Sequence, residues 1–147
     1  MGIVEAVCLS RNKGTVKKPV PEAVLVSCLG ITDDAHAGEG HRQVSLLAGE
    51  SIDRMKEQLP QLAQGAFAEN IITRGLDLSR GRPGDSFQIG DSVVLEITQI
   101  GKECHTGCAI RTATGECIMP VEGIFTRVLQ GGSVKPGDSI ELFENDQ

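Results

Sequence analysis

The chain has no Trp, no Tyr and only four Phe among its 147 residues. With 18 glycines and an ample supply of Val, Ile and Leu, this composition predicts many short strands joined by tight turns, with helix in the minority. Basic residues are also scarce, since 14 Lys and Arg face 20 Asp and Glu, for a formal charge of −6. That sign argues against binding a phosphate backbone, so nucleic acid is not an expected partner. No apolar run approaches the roughly 20 residues needed to cross a bilayer, and no membrane role is expected. The N-terminus lacks the charged, apolar and small-residue succession of a signal peptide, and the cysteines number five, an odd count. Both features point to a reducing compartment, the cytoplasm.

The length suits one domain over residues 1–147 with a core that needs no covalent staples. Gly2 to Ser10 reads as a half-buried strand, and Glu22 to Leu29 as a second apolar run. The basic, Gly- and Pro-punctuated segment Arg11 to Pro19 would join them as a hairpin tip. Gly30 to Gly40 reads as an ordered surface loop. A strand is predicted over Arg42 to Leu47. Ile52, Met55 and Leu59 predict a helix over Ala48 to Leu59, stopped by Pro60. Further strands are predicted over Glu69 to Thr73, Ser86 to Ile89 and Ser92 to Ile100. Gly84-Asp85-Ser86, Gly90-Asp91-Ser92 and Gly137-Asp138-Ser139 repeat one turn that leads into strands. Short strands at this spacing must stack or close, so the expected fold class is mostly β, an antiparallel β-barrel with a few peripheral helices.

Chemistry is expected where the long strand ends, in Gly101-Lys102-Glu103-Cys104-His105-Thr106-Gly107-Cys108. A cysteine leaving a rigid strand into a Gly-flanked loop is held yet reachable, and Lys102 and His105 favour its thiolate. A thiolate is both a nucleophile and a soft-metal ligand. Cys8, Cys28 and Cys117 lie among apolar residues and read instead as core fillers. A structural zinc site of Cys104, His105, Cys108 and Cys117 is a weaker reading, because adjacent Cys and His rarely share one metal. In Asp33 to His41, His36 and His41 can act as ligands or as acid and base, whereas Asp34 and His36 can equally pin a loop to backbone. Glu69-Asn70 is either a polar pair at a barrel rim or a turn fastener. Lys13, Lys17 and Lys18 can bind a phosphate or form a solvated tip.

Four blocks then carry a resemblance: Gly30-Ile31-Thr32-Asp33-Asp34-Ala35-His36-Ala37-Gly38, His41 to Leu47, Gly65-Ala66-Phe67-Ala68-Glu69-Asn70-Ile71 and Thr98 to Cys104. In that order they resemble the MOSC family, named for the C-terminal domain of molybdenum cofactor sulfurases. The tail from Met119 to Asp138 is similar to small stand-alone bacterial members. The resemblance implies a strand-rich barrel and a molybdenum cofactor (molybdopterin) as ligand. It also implies Cys104 as molybdenum ligand or persulfide carrier, with Asp34, His36, Arg42, Glu69, Asn70 and Lys102 as cofactor contacts. The pattern departs in two places. Gln99-Ile100-Gly101-Lys102-Glu103-Cys104 lacks the proline and arginine found before the cysteine in many members, leaving Lys102 as a point charge. Phe67-Ala68-Glu69-Asn70 has Ala where Gly is common. The desulfurase domain that accompanies the eukaryotic sulfurases is absent, so no pyridoxal phosphate is expected on this chain alone.

Three functions follow as expectations. The leading one is a molybdenum cofactor-binding or sulfur-carrier domain. The second is a non-catalytic adaptor docking on a cofactor-biosynthesis enzyme or a molybdoenzyme. The third is an enzyme using the Cys104 thiol as nucleophile, with His105 or His36 as base.

Overall fold

Strand β1 (Gly2–Leu9) buries Val4 and Val7 on one side and Ala6 and Cys8 on the other, so it must be covered on both faces. The computed structural model, which describes residues 2–10, 17–32, 34, 37–38, 43–58, 60–65, 69–100 and 123–145, shows how. After β1 come β2 (Lys18–Val20), β3 (Ala23–Val26), β4 (Gly30–Ile31) and β5 (Val44–Ala48). Helix α1 (Gly49–Lys56) follows directly, then β6 (Ile71–Arg74), a 3-10 turn at Leu78–Arg80, β7 (Ser86–Ile89) and β8 (Val93–Ile100). The chain ends through β9 (Ile124–Gln130), β10 (Gly132–Val134) and β11 (Ser139–Phe143).

Seven strands, in the order β1-β6-β5-β9-β8-β7-β11, close into a barrel through the pairing of β11 with β1. All neighbours in the ring are antiparallel except β5 and β6. That parallel pair requires a crossover connection, which contains α1. Inside the barrel lie Val4, Val7, Leu46, Ile71, Phe87 and Leu95 with their neighbours. Outside, Cys8, Leu47, Ile72 and Phe125 are covered by Ile52 and Met55 of α1. Arg74 anchors that helix, with Nε 2.7 Å from Glu5 of β1 and Nη1 3.0 Å from Asp53 of α1.

The second apolar run does not pair with β1 as a hairpin. β1 pairs instead with the short β2, and β3 turns away into a three-stranded sheet ordered β10-β3-β4. Pro21-Glu22 ends β2, and the small sheet lets Leu25 join the main core. The expected surface loop after Gly30 likewise begins as β4, because Ile31 is fully buried against that core. Cys28 is not a core filler. It sits exposed in the turn after β3 with φ 63°, its N–H donating to the Val128 carbonyl at 3.0 Å. The repeated Gly-Asp-Ser turns hold: Gly84, Gly90 and Gly137 all have positive φ and precede β7, β8 and β11. Helix α1 falls within the predicted span.

The buried Thr73 hydroxyl has no hydrogen-bond partner among the described residues. A buried donor left unmade costs more than the same shape without it, so Thr73→Val should stabilise the protein by about 1 kcal/mol in urea unfolding. A loss of stability would show that the hydroxyl is satisfied.

Candidate functional site

Where β1 ends and β6 begins, the sequence concentrates polar groups that the barrel then buries. Lys17 and Asp34 are an ion pair with Nζ to Oδ1 2.7 Å, and both side chains are wholly excluded from solvent. Asp34 also accepts the Ser10 backbone N–H at 3.1 Å, and Lys17 donates to the Ser10 hydroxyl at 3.4 Å. The ammonium thus joins the chain leaving β1 to the chain leaving β4. Gly65 packs so closely that a Cβ there would run into the Lys17 carbonyl, and its φ of +89° suits glycine. Its N–H donates to Glu69 Oε2 at 3.0 Å.

Asn70 completes the group. Its Oδ1 accepts from the Ser45 N–H at 2.9 Å and the Ser45 hydroxyl at 3.2 Å, while Nδ2 donates to the Cys8 carbonyl at 3.1 Å. One side chain therefore stitches β1, β5 and the start of β6. Cys8 lies between these charges. Burial, and then the Glu69 carboxylate, push its thiol up to about 12 against a partial opposing pull from Lys17. It is an inert thiol at neutral pH.

The other rim differs in character. β8 runs in the same sense as β5 and β6, so its end at Ile100 lies on the rim where β6 exits, away from the Lys17–Asp34 pair. There a cleft of about 560 Å³ opens between the start of α1 and the 3-10 turn. Ala48, Leu76, Leu78, Ile100 and Ile124 give it apolar walls. Among the described residues its charged groups are Glu50 and Asp77. Glu50 Oε2 accepts the Gly75 N–H at 2.9 Å, which ties the helix to the loop after β6. Asp77 accepts from the Ser79 hydroxyl and N–H, and these bonds hold its carboxyl below the ordinary range, helped by Arg80.

Of the sequence-derived site residues, Asp34, Glu69 and Asn70 come together at the first rim, each buried and hydrogen-bonded within the protein. Asp34 fastens a loop, as one reading expected. Cys104, Lys102, His36 and Arg42 lie outside the described residues, as do His41, His105, Cys108, Cys117 and Lys13. Ile100, immediately before residues 101–122, and Ile124, two residues after them, both line the cleft at the second rim. Lys17 is no phosphate ligand, since its ammonium is consumed by Asp34. Sequence reasoning missed Glu50 and Asp77. The Asp77-Leu78-Ser79 spacing is a local turn signal, but nothing in the sequence pairs it with a helix N-terminus.

Breaking a buried ion pair leaves an uncompensated charge, so Lys17→Met should destabilise the fold by about 3–5 kcal/mol. Adding Asp34→Asn, which keeps an acceptor for Ser10, should recover part of that loss in a double-mutant cycle by urea unfolding. The Cys8 thiol is raised in the folded state from an ordinary value of 9.0, so the unfolded thiol ionises first. Its contribution is intact below about pH 9 and is lost as pH rises towards 12, at up to about 1.4 kcal/mol per pH unit. Subtracting the alkaline unfolding profile of Cys8→Ala from that of the wild type should isolate this slope.

Residues 33–141 match the MOSC domain family. The chain is 27% identical over 145 residues to the protein YflK of Bacillus subtilis, and 26% identical over 140 residues to a reductase of Gibberella moniliformis. These alignments cover 91% and 82% of this chain, but it spans only 65% and 24% of those relatives. The crystal structure of the YUAD protein from Bacillus subtilis superposes with a TM-score of 0.82 at 18% identity, over 99% of this chain and 97% of that one. YiiM from Geobacillus stearothermophilus gives 0.70 at 19% identity, over 98% of this chain and 76% of the other. The solved structures share the barrel fold, and the family match covers most of the sequence. The chain belongs to the MOSC domain family, which ties it to molybdenum cofactor biology.

Proposed function

We propose that this domain binds the molybdenum cofactor or a precursor, with the Cys104 thiolate as molybdenum ligand or as carrier of a persulfide sulfur. The observation that carries the reading is that Ile100, immediately before the Cys104 segment, and Ile124, two residues after it, both line the 560 Å³ cleft. That size suits a small ligand or cofactor head. The cleft fits the group in one respect: its apolar walls match a flat heterocycle, and its carboxylates match N–H donors. When bound, the cofactor would supply a metal that soft sulfur favours. Glu50 and Asp77 would orient its organic part, Leu76 and Leu78 would exclude water from its faces, and Cys104 would supply the sulfur. His36, Arg42 and Lys102 remain proposed contacts, in the cytoplasm and within one domain, whereas Glu69 and Asn70, buried and hydrogen-bonded on the other rim, would act by holding the barrel.

A second reading, the adaptor that docks on a cofactor-biosynthesis enzyme or molybdoenzyme, draws on the small sheet. Its outward side leaves Val24 and Val26 exposed, at 48% and 40%, with Leu29 and Leu129 also open to solvent. A half-covered strand normally turns polar residues outward.

One comparison separates the two. Wild type and Cys104→Ser are incubated with molybdenum cofactor, and co-eluting molybdenum and pterin are measured after gel filtration. Stoichiometric retention lost in the variant is expected. No retention by either protein would remove the cofactor-binding reading and leave the adaptor.

A further inference from the structure

The small sheet of β10, β3 and β4 packs its inner side on the main core through Ala23, Leu25, Ile31 and Val134. The strand register gives its outer side. One row across that side is Ser133, Val24 and Thr32, with the Thr32 N–H donating to the Val24 carbonyl at 2.9 Å. The next row is Gly131, Val26 and Gly30. All six positions are uncharged. Neither glycine accepts a side chain readily, because a Cβ at 131 would run into the Leu25 carbonyl and Gly30 sits at φ +117° against Gln43. The second row is therefore low on both sides of Val26, while Ser133 and Thr32 raise the first.

This relief is complementary to itself. A two-fold axis lying in the plane of the sheet and crossing β3 at Leu25 sets the first row of one copy on the second row of another. Val24 then meets Val26, Ser133 meets Gly131 and Thr32 meets Gly30, so each small polar side chain lands over a glycine. Charge agrees with shape. Two chains of −6 repel each other, and contact costs least where neither presents a charge. The nearest charges along these strands, Glu22 and Lys135, lie at one end of the sheet. The same axis carries that end onto the other copy's turn at Ser27 and Cys28, away from its own kind. The turn is fixed in advance, since the Ser27 hydroxyl donates to the Leu129 carbonyl at 3.1 Å and the Cys28 N–H to that of Val128 at 3.0 Å.

We propose that the outer face of this small sheet docks a second copy of the chain, sheet against sheet about a two-fold axis. Strand β3 has four residues, so the face is about 13 Å long and three strands wide. That is well short of the roughly 800 Å² per partner of a standard interface, and the dimer is accordingly weak, with a Kd of about 10–500 μM. It depends neither on Cys104 nor on a cofactor, and it would cover the surface that the adaptor reading gives to a partner enzyme.

The test is sedimentation equilibrium of the full chain from about 10 μM to 1 mM, a range that brackets the expected Kd. Reductant is kept present because Cys28 is exposed. The weight-average mass should rise from one chain of 15.6 kDa towards two, and no further. Val26→Lys places a charge at both halves of the contact and should weaken association by at least about tenfold. Val24→Thr with Val26→Thr keeps strand formers at these exposed positions, so it should fold with an unchanged urea midpoint and also weaken the dimer. Register is tested in a Cys28→Ser background, where a mixture of Val24→Cys and Val26→Cys chains should cross-link with oxidised glutathione faster than either chain alone. A chain that stays monomeric at 1 mM, association unchanged in the folded variants, or no preference for the mixed cross-link would each overturn the proposal.

Discussion

A lysine ammonium with no access to water must have a counter-charge, and Lys17 finds it in Asp34, 2.7 Å away. This pair constrains everything around one rim. It fixes where the chain goes after β1, because Ser10 is bonded to both partners. It brings Lys17 against Gly65, whose N–H then holds Glu69, the residue before the Asn70 that binds β1 and β5. Desolvation makes the pair costly in isolation, so its worth lies in specifying one path for several loops.

The two rims divide the work. The Lys17–Asp34 rim is dry, internally satisfied and stitched across three strands, which is the character of a scaffold. The rim with Glu50 and Asp77 carries a cleft with apolar walls, and both carboxylates line it. Asp34, Glu69 and Asn70 stand on the first, and Ile100, after which the segment with Cys104 follows in sequence, lies at the second. Arg74, bridging Glu5 and Asp53, connects the wall between them to α1.

Much of the barrel was legible in the sequence. Strands of alternating Val, Ile and Leu, the Ile52-Met55 spacing and the Gly-Asp-Ser turns each have a local cause, and each appears where that cause acts. What was not legible was partner choice. Nothing within Glu22 to Leu29 says that β3 pairs with β10 over a hundred residues later, and Cys28 looked internal because its neighbours are apolar. The same holds at the site. Asp34 and Glu69 were visible as polar residues in ordered blocks, but their partners Lys17 and Gly65 are set by three-dimensional packing. Glu50 and Asp77 lie far enough apart in sequence that only the closure of β6 against α1 brings them to one cavity.

The barrel closes where β1 meets β11, through Gly2 with Ile140 and Ile3 with Ser139. The far half of that edge, Val7 to Leu9, is covered early by β2, but Gly2 and Ile3 have no neighbour there until β11 has been synthesised. During translation the Gly2–Ile3 end of that edge stays open until β11 emerges, and the ring cannot lock before then. Once it does lock, the first and last described strands lie side by side, so a short peptide could join the ends and the chain could be opened elsewhere with the same topology. The seam makes this a slow barrel to complete and an easy one to permute.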